Sequence, residues 1–228
     1  VMSTGTRNQS PQAATENGEA MPLVVTEIPG PRTKEMVARL AQAECRGVTH
    51  MDSDGSFPVF WQRARGANVW DVDGNRYVDL TAAFGVVACG HSHPELTGVL
   101  ARPDLLIHGM GDVHPPAVKL ELLEMLAEIA PGDLGHGVLG LNGADVIEAA
   151  LKAAYFHTGR TGVIAFDGGY HGLLGMSLNT VGHQKFRAPL GSLIGSNTSW
   201  LPYPDPNLAL SGVSDADVSR HVLERVEA

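Results

Sequence analysis

Between Leu139 and Ser177 the chain runs strand, glycine turn, helix, strand and second glycine turn with almost no residue to spare. Gly137-Val138-Leu139-Gly140-Leu141 is an apolar run of strand length that stops at Asn142-Gly143-Ala144-Asp145 and passes into a helical pattern through His157. Val163-Ile164-Ala165-Phe166 then reads as a buried strand, ending in Asp167-Gly168-Gly169-Tyr170-His171-Gly172. Alternation of this kind predicts an α/β fold with a mainly parallel sheet. In such a sheet ligands bind beyond the carboxyl ends of the strands, so both turns point to one crevice.

Gly143 and Ala144 are small enough for a phosphate to approach the backbone closely. The free N–H groups and the positive dipole end of the following helix then favour the anion. Asn142 adds a side-chain amide, and Asp145 complements the dipole as an ordinary first-turn residue does. A plain tight strand-to-helix turn has the same pattern, and the next unit supplies the contrast. Tyr170, flanked by Gly169 and Gly172, can lie flat over a heteroaromatic cofactor because the glycines leave room for a face-on approach.

Elsewhere, residues 1–27 are polar with little apolar periodicity and read as a mobile extension. Met36, Val37, Leu40 and Ala43 predict an amphipathic helix within 33–46, with Thr33 as the candidate cap. Strands are expected between Val59 and Leu80, with a hairpin turn at Asp73-Gly74. A short helix follows Pro94, and Pro115-Pro116 opens a longer one that closes at Pro131-Gly132. After Ser177 the chain reads as loop through Asn207. Ser214-Asp215-Ala216-Asp217 resembles a capping box ahead of Val218, Val222, Leu223 and Val226.

A net charge of -9 over 228 residues argues against nucleic acid and anionic membrane surfaces as partners. No apolar run reaches membrane-spanning length, and the expectation is a cytoplasmic protein. Cys45 and Cys89 form no disulfide framework and read as small buried or half-buried thiols. His91 and His93 could serve zinc, but no ligand set completes the coordination, so they read as loop histidines. His108, Met110, Asp112 and His114 form a polar loop suited either to an active site or to a subunit boundary. Trp61 and Trp70 read as packing residues first and interface anchors second. Ser177 lacks a nucleophile-elbow setting.

Taken together, Asn142-Gly143-Ala144-Asp145 with Glu148-Ala149-Ala150-Leu151-Lys152, and Phe166 through Gly172, resemble the class III (ornithine/GABA-type) aminotransferases, pyridoxal-phosphate enzymes of fold type I. Val69 through Leu80 and Gly90-His91-Ser92-His93-Pro94 are similar to that family's amino-terminal hairpin and the loop after it, so the resemblance spans about Arg32 to Pro204. It implies a partial large domain with a mainly parallel sheet over 101–228 and an amino-terminal small-domain segment of helix and β-hairpin over 28–100. It also implies that Asn142, Gly143 and Ala144 hold the phosphate of pyridoxal 5'-phosphate, that Tyr170 stacks on its ring beside His171 and Gly172, and that Phe84 lines the substrate pocket. Amine or amino acid and keto acid would be the substrates, with a homodimer whose active sites lie at the subunit interface.

Transamination needs a Schiff-base lysine and a carboxylate against the pyridinium nitrogen. The family carries them in later Asp-Glu-Val and Ser-Lys segments that are not found here. Lys34, Lys119, Lys152 and Lys185 are the lysines, and none follows a strand in the required way; each reads as a surface charge. The expectation is therefore the amino-terminal half of a longer enzyme, inactive alone. A glutamate-1-semialdehyde-type aminomutase and a non-catalytic remnant that binds the cofactor or a partner subunit are the alternatives.

Overall fold

The computed structural model describes residues 17–54, 56, 58–102, 104, 107–110, 113–204, 217, 220, 222–224 and 226. The chain divides into two compact units, Val1–His114 and Pro115–Ala228.

The first unit is built on an antiparallel sheet of order β1-β2-β3, with β1 at Trp61–Arg65, β2 at Asn68–Asp71 and β3 at Arg76–Val78. Gly74 takes φ +93 in the β2–β3 turn, a conformation that a side chain resists, and Val69 opposite Tyr77 sets the register. The central strand β2 is buried along its whole length, and Val69, Trp70 and Val72 supply its apolar core. Trp70 thus packs as expected, whereas Trp61 is 54% exposed and meets His91 edge to face. Asp71 is buried too, and its carboxylate accepts the N–H groups of Asp73 and Asn75 and the Tyr77 hydroxyl. Burial and that carboxylate push the Tyr77 phenol well above its ordinary range.

Part of the segment assigned from composition to an extension lies along this sheet. Leu23 and Arg76 exchange backbone hydrogen bonds of 2.9 and 2.7 Å. Asn68 bonds both backbone groups of Ala20, and the Asn75 side-chain oxygen accepts the Val25 and Thr26 N–H groups. Residues 1–16 lie outside the described residues.

Helix α1 spans Pro31–Ala43 and starts three residues earlier than a Thr33 cap would place it, with Gly30 as an N-cap that has no side chain to offer. Thr33 is not the cap. Its hydroxyl donates to Asp73, whose carboxylate also accepts the Arg32 and Thr33 N–H groups at 2.8 and 2.9 Å. The hairpin turn thus satisfies the helix's first donors from 40 residues away. Helix α2 follows at Pro94–Leu100. Cys45 and Cys89 are both exposed, which corrects the buried-thiol expectation: Cys45 follows the end of α1 and Cys89 lies in the turn before Gly90, both outside the strands that form the core. Met110 and His114 form an isolated antiparallel bridge, and Asp112 of the same loop lies outside the described residues.

In the second unit α3 covers Ala117–Ile129, between the two proline signals, and α4 covers Gly143–Thr158, closed by Gly159 at φ +68. Strand β4, Val163–Phe166, is where the sequence predicts it. Its partner is not. The expected strand at 137–141 has no ladder, and Leu141 is 97% exposed. Instead β4 pairs in parallel with β5, Thr198–Leu201, within the stretch expected to be loop. An apolar run becomes a strand only where another strand offers it hydrogen bonds, and none does so for 137–141 among the described residues. The crossover from β4 to β5 carries α5 (Gly175–Asn179), α6 (Gln184–Arg187) and a 3₁₀ turn at Ala188–Leu190. Ala165, Leu178, Val181 and Leu201 form the core between sheet and crossover, with Ser177 and Thr180 buried among them. Most of the capping box expected at 214–217 lies outside the described residues.

Candidate cofactor-binding cleft

A cleft of about 630 Å³ opens where the start of α4 meets the turn after β4. Asn142, Gly143 and Ala144 line one side; Tyr170, His171 and Gly172 line the other, with Val146, Ile147, Leu173 and Leu174 making the apolar part. All six residues singled out on these two turns therefore share one hollow, within the roughly 300–1,000 Å³ usual for small-ligand sites.

Local chemistry explains the side formed by Asn142, Gly143 and Ala144. Asn142 is the N-cap of α4, with extended backbone, and its side-chain oxygen accepts the Asp145 N–H at 3.0 Å. That bond commits the amide oxygen and leaves the amide N–H₂ as a donor. Asp145 in turn accepts the Leu141 N–H at 3.1 Å. The N–H groups of Gly143 and Ala144 have no partner among the described residues, as the first donors of a helix do not. A side chain at Gly143 would project into open space, so at this point the backbone is bare to a ligand.

On the other side, Gly172 sits at φ +101, and a Cβ there would come 2.2 Å from the Ala144 Cβ. Only glycine lets the loop close onto the helix start. His171 Nδ1 lies 2.7 Å from the Thr180 carbonyl; a carbonyl accepts, so Nδ1 carries the proton and Nε2 is the acceptor of the neutral ring. The Tyr170 ring is half exposed and rests edge to face against Phe186, centroids 5.7 Å apart. Glu148 accepts the Ser177 N–H at 2.6 Å, and Gly182 donates to the Gly169 carbonyl at 2.7 Å. These supports escaped the sequence reading. Glu148 belongs to the family-like motif, but its partner is 29 residues away, and nothing local marks Phe186 or Thr180.

The cleft fits the phosphate and ring of a vitamin B6 coenzyme: bare helix-start donors, an amide donor, a glycine-tight floor and an aromatic platform. A family model for class-III aminotransferases matches residues 50–228. The chain belongs to the class III aminotransferases.

Among class III relatives, the acetylornithine aminotransferase of Methanopyrus kandleri is 34% identical over 179 residues, 78% of this chain and 45% of its own. The 4-aminobutyrate aminotransferase GabT of Escherichia coli is 34% identical over 81% of this chain and 42% of its own. An alanine/serine racemase of Pyrococcus horikoshii is 30% identical over 90% of this chain and 43% of its own. The fold is that of solved transaminases: an (S)-enantioselective omega-transaminase from Thermomicrobium roseum superposes with TM-score 0.73 at 24% identity over 85% of this chain and 45% of its own. An omega transaminase from Pseudomonas jessenii in complex with PMP gives 0.74 at 19% identity, over 83% of this chain and 44% of its own. The chain thus spans less than half the length of each.

Phe84 lies in the first unit, on a turn of left-handed backbone that runs from Ala82 at φ +48 through Ala83 and Phe84 to Gly85, and its side chain is 97% exposed. Asp79 holds that turn, accepting the N–H groups of Thr81 and Ala83 and pairing with His91 Nε2 at 2.9 Å. No helix among the described residues is long and apolar enough to cross a membrane.

Proposed function

We propose that the whole protein is a pyridoxal-phosphate-dependent aminotransferase that moves an amino group between an amine or amino acid and a keto acid. The observation that carries this reading is the pairing of unpartnered Gly143 and Ala144 N–H groups with the Tyr170 ring in one cleft. The cofactor, when bound, supplies the electron sink for breaking bonds at the amine carbon. The chain's own share is binding and orientation. Gly143 and Ala144 N–H groups and the Asn142 amide would take the phosphate, aided by the α4 dipole. Tyr170 would cover the ring, and Gly172 would keep the two walls close. His171 Nε2 would accept a proton from a group bound in the cleft. Phe84 would shape the substrate pocket.

Lys34, Lys119, Lys152 and Lys185 do not line this cleft. The amine that bonds the cofactor and the carboxylate facing its ring nitrogen are therefore assigned to the part of the family fold that these residues do not span. A homodimer and a cytoplasmic location belong to the same proposal, on the family resemblance.

Fluorescence titration of the chain with pyridoxal phosphate tests the cleft: saturable binding, weakened at least about tenfold by Tyr170→Ala together with Asn142→Ala, is expected. Absence of binding, or binding indifferent to both changes, overturns it. Racemisation is a second reading, favoured by the racemase relative matched over 90% of this chain. With the full-length protein, amino-group transfer that requires a keto acid supports the first; inversion of an amino acid without one supports the second.

A further inference from the structure

Thr198 and Trp200 stand two residues apart on β5, so their side chains share one face of the strand. Against them, beside α6 and the segment after it, lies a second, open cavity of about 360 Å³, whose polar lining includes Asn179, Gln184, Arg187, Ser196 and Thr198. It shares no lining residue with the cofactor cleft. The Arg187 guanidinium lies over the Trp200 indole, 3.9 Å from its centre. Arg187 Nε and Thr198 Oγ1 are both buried, and neither has a hydrogen-bond partner among the described residues. No carboxylate lines the cavity among them, and Arg187 makes no ion pair there.

Buried polar atoms are normally satisfied, and two orphans around one hollow mark a missing partner. The chemistry of that partner is constrained. Nε and the neighbouring Nη of a guanidinium form a planar edge that matches two oxygens of a carboxylate, and stacking on an indole fixes the plane of that edge. A hydroxyl and neutral amides around it add donors without a competing negative charge. We propose that this cavity is a second binding site, for a small carboxylate held edge-on by Arg187 with Thr198 donating to the same group. The proposal does not depend on the cofactor reading.

Calorimetric titration of the chain with succinate, in saturating pyridoxal phosphate, tests it, with inorganic phosphate as a parallel titrant. Saturable succinate binding is expected, weakened at least about tenfold by Arg187→Met and about tenfold by Thr198→Val, because each removes a donor to a charged acceptor. Arg187→Lys, which keeps the charge but loses the fork, falls between wild type and Arg187→Met. Cofactor affinity, titrated separately in Arg187→Met, stays within about twofold, which separates this site from the cleft. No saturable heat, equal binding by Arg187→Met, or phosphate binding as tight as succinate overturns the assignment. If circular dichroism shows Arg187→Met unfolded, Thr198→Val and Arg187→Lys decide: wild-type binding by both overturns it.

Discussion

The Glu148 carboxylate accepts the Ser177 backbone N–H at 2.6 Å, and this one bond fastens the helix that begins at Gly143 to the far end of the Tyr-His-Gly loop. Glu148 is not itself among the residues that line the cleft. It is a positioning residue.

Removing that carboxylate frees the loop without altering a donor in the cleft. Glu148→Ala is expected to weaken pyridoxal phosphate binding about three- to tenfold, the part of one hydrogen bond's worth that reaches the cleft through the loop, while Glu148→Gln, which keeps an acceptor oxygen, stays within about threefold of wild type. Absorbance titration of both variants checks this, and equal losses in the two would count against positioning by an acceptor.

Gly172→Ala places a methyl 2.2 Å from the Ala144 Cβ at a residue with φ +101. Strain and overpacking together predict a loss of about 2–4 kcal/mol. Urea denaturation measures it; a midpoint within error of wild type would show that the loop is not pressed against the helix.

Asp79 carries a pH signature. The Thr81 hydroxyl, and after it the His91 imidazole, hold its carboxyl down to about 2. The folded chain therefore gives up this proton more readily than the unfolded chain. Its stabilisation is complete above the ordinary carboxylate range and is lost as pH falls toward about 2. Urea midpoints of wild type are expected to drop between pH values of about 4 and about 2 more steeply than those of Asp79→Asn. Parallel curves would remove Asp79 from the acid response.

Ala83 sits at φ +50 without being glycine, between two other left-handed residues. Ala83→Gly relieves that strain and keeps the N–H that Asp79 accepts, so a gain of about 0.5–1 kcal/mol is expected after the extra freedom of the unfolded chain is subtracted. Thermal unfolding reads this directly: a fall in midpoint would mean that the turn is not strained.

The parts of the fold that were legible are those whose cause is local. The helix that opens after Asn142-Gly143, the start of α3 after Pro115-Pro116 and the hairpin turn at Asp73-Gly74 each have their signal within a few residues of the element it controls. The two glycine turns share one hollow although only the second follows a strand, because Gly172 lets the loop after β4 close onto the start of α4. What escaped is non-local. The donors of α1 are met by Asp73, 40 residues on, which no reading of Thr33 alone would find. Strand β5 is four residues long and draws its identity from β4, whereas 137–141 has the stronger apolar pattern and no strand to pair with among the described residues. Three consecutive left-handed residues at 82–84 run against the preference of alanine and phenylalanine, and the Asp79 carboxylate holds them together with the backbone bonds from Gly85 to Thr81 and from Val87 to Ala82.

The edge-to-face meeting of Phe186 with Tyr170, 74° between ring planes, has a kinetic side. A phenol already propped in place need not be frozen when a flat ligand slides under it, so capture costs little disorder and the empty protein resembles the loaded one. Trimming the prop with Phe186→Ala should therefore slow arrival of the coenzyme more than it hastens its escape.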